Sequence, residues 1–196
     1  VQTVAESSVD FVRENVVMQT IGPDGMRFMP FLMSLFFFIL FANITEVIPF
    51  IQFPANSRMA APAVLAIIVW LVFNAVGIKS QGFFHYFKNT VIPPGVPGAL
   101  LPLVAVIEFV STFLVRPFSL AVRLFANMLA GHLLLVTFAV LTTALWTPGP
   151  LAAIVWAPFV VLIGLTGFEI LVAFLQAFIF TILTAVYIGG ALHPEH

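Results

Sequence analysis

The sequence contains no cysteine. That excludes disulfides, thiolate metal sites and cysteine nucleophiles. Charge is scarce too. Asp, Glu, Lys and Arg make up 8% of the 196 residues, against roughly a quarter in soluble domains. A water-facing surface cannot be built from so few charged groups. The net charge of −1 leaves no basic face for nucleic acid. What is present is apolar: 62% of residues are hydrophobic and the mean hydropathy is +1.16. The length suits roughly five or six bilayer-crossing segments of about 20 residues. The class is an all-α integral membrane protein.

Three regions follow from the pattern. Residues 1–28 are polar. Val9, Val12 and Val16 share a face while Arg13 and Glu14 turn away, which predicts a short amphipathic helix on the membrane surface. A solvated connector is the alternative. Ser7 with Asp10 three residues later resembles a capping box, and Ile21–Gly25 reads as a turn. Residues 29–98 hold two transmembrane helices, Met29–Ile51 and Met59–Ile78, and a connector from Lys79 to Gly98. In the connector Phe83, Phe84, Tyr86 and Phe87 read as an interfacial belt, with Lys79 and Lys88 reaching headgroups. His85 belongs to that belt, and no metal site is expected. Asn43-Ile44-Thr45 fits a glycosylation sequon but lies too near membrane depth to be used. Asn74 reads as glue between helices.

Residues 99–196 carry two long apolar runs, Ala99–Thr143 and Leu151–Leu192, joined by a turn at Trp146–Pro150. They predict an antiparallel hairpin of two long oblique helices. A single helix over the first run would be roughly 65 Å long, about twice the hydrocarbon thickness, so it must lie oblique or kink at Pro117. Arg13, Arg27, Lys79 and Lys88 fall in segments that share one side of the membrane, and Arg58 falls on the other. The positive-inside rule then makes the N-terminal segment, the Lys79–Lys88 loop and the C-terminus cytoplasmic.

The first long run carries Glu108, Arg116, Arg123 and His132. On insertion scales a charge at bilayer centre costs about 2.5–3.5 kcal/mol, so such groups mark an ion path. At 3.6 residues per turn Arg116, Ser119, Arg123 and Asn127 form one stripe, and His132 points the opposite way. Two readings of Arg123 are open. It pairs with Glu108 or Glu169 to hold helices together, or it is presented to a carboxylate on a partner. At about 4 Å and an effective dielectric near 20, the second contact is worth roughly 4 kcal/mol. That is about three pKa units, enough to keep a buried acid ionised. Arginine does not release its own proton, so it blocks a path without relaying along it. His132 and Glu169 can meet across the hairpin as a proton-exchanging pair or as a structural one. Glu108 and Ser111 lie toward the other end, Arg116 reads as an anchor, and Gln176 shares a face with Glu169. Ala126 and Ala130 let another helix approach closely.

The run PFSLAVRLFANMLAGH, Pro117–His132, resembles the most distinctive segment of subunit a of F-type ATP synthases. ILVAFLQAFIFTILTAVYI, Ile170–Ile188, resembles the last helix of the same family. The resemblance implies a bacterial, multi-pass inner-membrane stator subunit that moves H+ and is not an enzyme by itself. Its implied partners are the ring of c subunits, the b subunits of the peripheral stalk, the F1 sector and the lipid bilayer, with no cofactor or metal. Arg123 is then the functional centre facing the ring, with Asn127, His132 and Glu169 on the outer half-channel side, Gln176 either hydrogen-bonding near Arg123 or serving as glue between helices, and Glu108, Ser111 and Ser119 on the inner side. The chain has no GxxxxGK[ST] pattern, so ATP chemistry belongs to partners. The resemblance also implies a further transmembrane helix upstream of Val1. One departure stands out. The family's inner glutamate usually lies seven residues before the position of Arg116, whereas Glu108 lies eight before it, a rotation of about 100°. The rival reading is a self-contained proton-coupled transporter with Arg123 binding an anionic substrate. No internal repeat supports it.

Overall fold

The computed structural model describes residues 2–48, 59–92, 100–146 and 154–192, and every regular element among them is helical. Helix α1 (Gln2–Val12) runs into a π turn at Arg13–Met18, and a 3-10 turn (Pro23–Phe28) leads into α2 (Met29–Val47). Then come α3 (Ala60–Gln81), α4 (Phe83–Val91), α5 (Leu101–Val110), a second π turn (Ser111–Val115), α6 (Arg116–Leu145) and α7 (Trp156–Leu192). Four helical stretches are long and apolar enough to cross a bilayer: Pro23–Thr45, Ala60–Gln81, Leu101–Leu145 and Trp156–Leu192. The 52–58 loop with Arg58, the prolines at 93–97, most of the turn between the long helices and the tail from 193 lie outside the described residues.

Helix α7 is the centre of the bundle, packing against α2, α3 and α6. Specific contacts give the directions. Arg116 sits 5.2 Å over the Tyr187 ring, and Gly131 meets Glu169, so α6 and α7 are antiparallel. The Phe36 and Phe174 rings are 5.9 Å apart and Asn43 lines a crevice with Glu169 and Val172, so α2 is antiparallel to α7 as well. Helix α3 runs parallel to α7: the Phe73 and Tyr187 rings are 5.8 Å apart and tilted, and Gln81 Nε2 donates to the Ala191 carbonyl at 2.9 Å. Small residues allow this density. Ala177 and Ala185 of α7 are fully buried, where a larger side chain would hold the neighbouring backbones apart. Phe38, Phe41, Val64, Leu103 and Val160 face outward, as lipid requires and water would not tolerate in such number.

Helix α1 starts at Gln2, so Ser7 and Asp10 lie inside it and do not form a capping box. The amphipathic pattern itself holds. Val12, Val16 and Val17 are fully buried, while Arg13 and Glu14 are exposed. The buried edge lies along α7, with the Phe11 ring 5.5 Å from Phe178 and the Thr20 carbonyl at Gly189.

The segment after Lys79 is more ordered than a connector. Gly82, at φ 82°, supplies a backbone conformation that other residues rarely adopt, and the chain turns there into α4. Tyr86 is not interfacial but buried. Its ring fills the notch at Gly77, and its hydroxyl donates to Asn74 Oδ1 at 3.0 Å. Burial pushes the phenol above its ordinary 10.0. Asn74 is therefore glue, but between α3 and the connector helix. Phe83 and Phe84 are exposed.

Leu101–Leu145 is helical throughout, so Pro117 does not break the rod. Proline lacks an N–H and crowds the carbonyl four residues earlier. Immediately before it the bonding pattern widens, and the Arg116 N–H donates to Ser111 O, five residues back.

Candidate functional site

The π turn ends at Val115, so Arg116, Ser119, Arg123 and Asn127 all lie in unbroken α-helix and keep their common stripe. Arg123 is exposed on the outside of the chain, as are Ala126 and Ala130 beside it. Among the described residues no ion pair or hydrogen bond holds its guanidinium. Glu108 lies about 22 Å away along the rod at 1.5 Å per residue, and Glu169 sits roughly two turns farther along α6. The helix-holding pair therefore does not form. A fixed cation at membrane depth faces outward from a strip of small side chains.

Glu169 enters α6 at a different azimuth. A Cβ on Gly131 would fall 2.6 Å from the Glu169 carboxyl carbon, so the absence of a side chain at 131 is what admits the carboxylate. His132 is the next residue and is half-buried. Toward Arg123, Glu169 shares a crevice with Asn127, Leu124, Met128, Val172, Ala173 and Asn43. Its volume of about 10 Å³ is on the order of one water molecule. Asn127 lines this crevice and also belongs to the Arg123 stripe, so it borders both.

Asn43 is the residue that sequence reasoning passed over. Read as an unused sequon, it is 5% exposed and comes from a third helix to face Asn127 and Glu169. The available signal was an amide inside an apolar span, which needs a polar partner at depth.

Gln176 lies two turns from Glu169 on the same face of α7 and is buried. Its amide nitrogen has no hydrogen-bond partner among the described residues. The Arg116–Tyr187 and Gly131–Glu169 pairs fix the hairpin register. By interpolation Gln176 stands opposite residues near 125, about half a turn from Arg123. Arg116 is anchored through its cation–π contact to Tyr187, as expected.

At the other end Glu108 and Ser111 are half-buried, and Ser119 is half-buried on the stripe. The second π turn bears on Glu108. A π turn takes one more residue per hydrogen-bonded ring than an α turn. The residue that displaces Glu108 by one position is therefore absorbed between Glu108 and Arg116. Glu108 returns to the azimuth that a residue seven before Arg116 would have in uninterrupted α-helix.

Comparison with known proteins gives the family. The model of the ATP synthase A chain family matches residues 1–189. The chain is 47% identical over 197 residues to ATP synthase subunit a of Rhodococcus erythropolis, covering 99% of this chain and 72% of that one. It is 48% identical to the subunit a of Frankia alni, covering 100% and 68%. With that of Chelativorans sp. the identity is 45%, over 100% and 77%.

Proposed function

The chain belongs to the ATP synthase A chain family, and on that premise we propose that it forms two offset half-channels against a rotating ring of c subunits. The family makes it a proton-translocating membrane subunit of a bacterial F-type ATP synthase. The observation that carries the finer reading is Arg123, a cation exposed at membrane depth with no bond to the described residues.

A proton enters from outside through the crevice of Asn43, Asn127 and Glu169, with His132 and Glu169 as exchanging groups. It passes at Asn127 to a ring carboxylate, whose charge the proton removes so that the carboxyl can move into lipid. After rotation the acid releases its proton toward Ser119, Ser111 and Glu108. Arg123 favours the ionised form by roughly 4 kcal/mol at close range and, keeping its own proton, blocks leakage between the halves. Gln176 lines the path near Arg123. Each charge crossing 100 mV supplies about 2.3 kcal/mol, so several crossings serve one ATP, whose chemistry lies in the F1 sector. The b subunits hold the chain still against the ring.

Orientation follows the same logic. Arg27, Lys79, Lys88 and Arg116 gather at the end where α7 terminates, and the positive-inside rule makes that end cytoplasmic.

Cysteine cross-linking from positions 123 and 127 to the ring carboxylate helix, in membranes of the intact complex, tests this reading. No native cysteine interferes. A cross-link that forms and stops ATP-driven proton pumping is expected. If neither position reacts while outward controls such as position 160 do, the stripe does not face the rotor.

A further inference from the structure

A groove of about 460 Å³ opens between the end of the 3-10 turn that leads into α2 and the last turns of α3, away from the ion path. One end of it is polar: Arg27, Lys79 and Ser80 line it, all exposed. The other end is apolar. Val72, Ala75 and Val76 descend along α3 from Lys79 toward mid-membrane, over roughly 10 Å at 1.5 Å per residue. No carboxylate is among the lining residues. The Arg27 guanidinium lies 4.8 Å over the Phe28 ring, which holds it against the wall of the groove instead of leaving it free in water.

Arg27 stands at the beginning of one bilayer-crossing stretch and Lys79 near the end of the next. Because α2 and α3 run in opposite senses along α7, the two cations meet at one membrane face, at headgroup level. The groove thus grades from two cations and a hydroxyl to bare aliphatic wall, in the direction that a lipid grades from head to tail. A packed protein helix would cover the wall but leave both cations unmatched. A free phosphate would match the cations and leave the wall bare.

We propose that this groove holds one anionic phospholipid, its phosphate between Arg27, Lys79 and Ser80 and one acyl chain along Val72, Ala75 and Val76. Basic pockets between transmembrane helices recognise anionic headgroups in this way, and the volume is within the usual range for a small-molecule site.

The test uses the intact complex carrying the photo-reactive residue p-benzoylphenylalanine at position 76. The complex is reconstituted into vesicles of one part phosphatidylglycerol to nine parts phosphatidylcholine, illuminated, and its adducts are weighed by mass spectrometry. Two surface cations favour an anionic lipid over a neutral one roughly thirtyfold, so phosphatidylglycerol, one tenth of the bilayer, should supply about three quarters of the lipid adducts. Arg27→Gln combined with Lys79→Gln should return the adducts to the bulk ratio, whereas Lys88→Gln, outside the groove, should leave the enrichment intact. Adducts with protein, whether an upstream segment or another subunit, would overturn the proposal. So would a bulk lipid ratio in the unsubstituted chain, or enrichment that survives the double substitution.

Discussion

The Glu169 carboxylate occupies the space that a side chain at Gly131 would take. One helix carries the acid and its antiparallel neighbour carries the hole, so the outer end of the ion path depends on an absent methyl group as much as on a charged one. Gly131→Ala should displace Glu169 from the crevice and lower ATP-driven proton pumping by roughly tenfold or more, with assembly retained. The overpacking penalty is on the order of 1–3 kcal/mol. Gly164→Ala, where a Cβ meets nothing, should leave pumping unchanged. Fluorescence quenching in inverted vesicles measures both.

Asn43→Leu removes an amide from the crevice and fills it with hydrocarbon. Passive proton conduction through membranes stripped of F1 should fall several-fold, since displacing a well-placed polar group or its water weakens the path. Conduction equal to the unsubstituted chain would remove Asn43 from the route.

The two arginines of the α6 stripe should differ sharply. Arg123→Ala should abolish proton-driven ATP synthesis in energised vesicles. Arg116→Ala loses a cation–π contact worth about 0.5–2 kcal/mol and should only weaken it. Equal, mild effects would show that the barrier is elsewhere.

The π turn at Ser111–Val115 should tolerate removal of one residue. Deleting Val115 lets the rod close as plain α-helix while Glu108 keeps its azimuth relative to Arg123, so synthesis should persist at reduced rate. Deleting Ala121 instead rotates the upstream half, Arg116 and Ser119 included, by about 100° against Arg123 and should abolish synthesis. Rates in energised vesicles separate the two outcomes.

Tyr86→Phe should lower the melting temperature of the detergent-solubilised complex, because Asn74 Oδ1 loses its donor at 3.0 Å. An unsatisfied buried acceptor costs about 1–3 kcal/mol. The raised phenol value has a definite sign. Below the ordinary 10.0 both folded and unfolded chains keep the proton. As pH climbs above it, the unfolded chain releases the proton first, and stability falls. Tyr86→Phe should abolish this alkaline loss, as a thermal-shift series across that range would record.

Composition and period alone determine the class of this protein, its long hairpin and the stripe of Arg116, Ser119, Arg123 and Asn127. Those features depend on local quantities, on the cost of charge in lipid and on 3.6 residues per turn, and nothing distant alters them. The packing partners were another matter. Asn43 lies more than eighty residues from Asn127 and over a hundred from Glu169, and its neighbours on α2 look like ordinary lipid-facing sequence. Tyr86 sits in an aromatic run that reads as a membrane belt, and its burial depends on the notch at Gly77 and the turn at Gly82. Counting residues also misplaced Glu108 by about 100°, since it assumed one helical period throughout and the π turn changes that period. Which polar groups meet, and at what azimuth, is set by helix register and by missing side chains at glycines. Only the tertiary structure decides those.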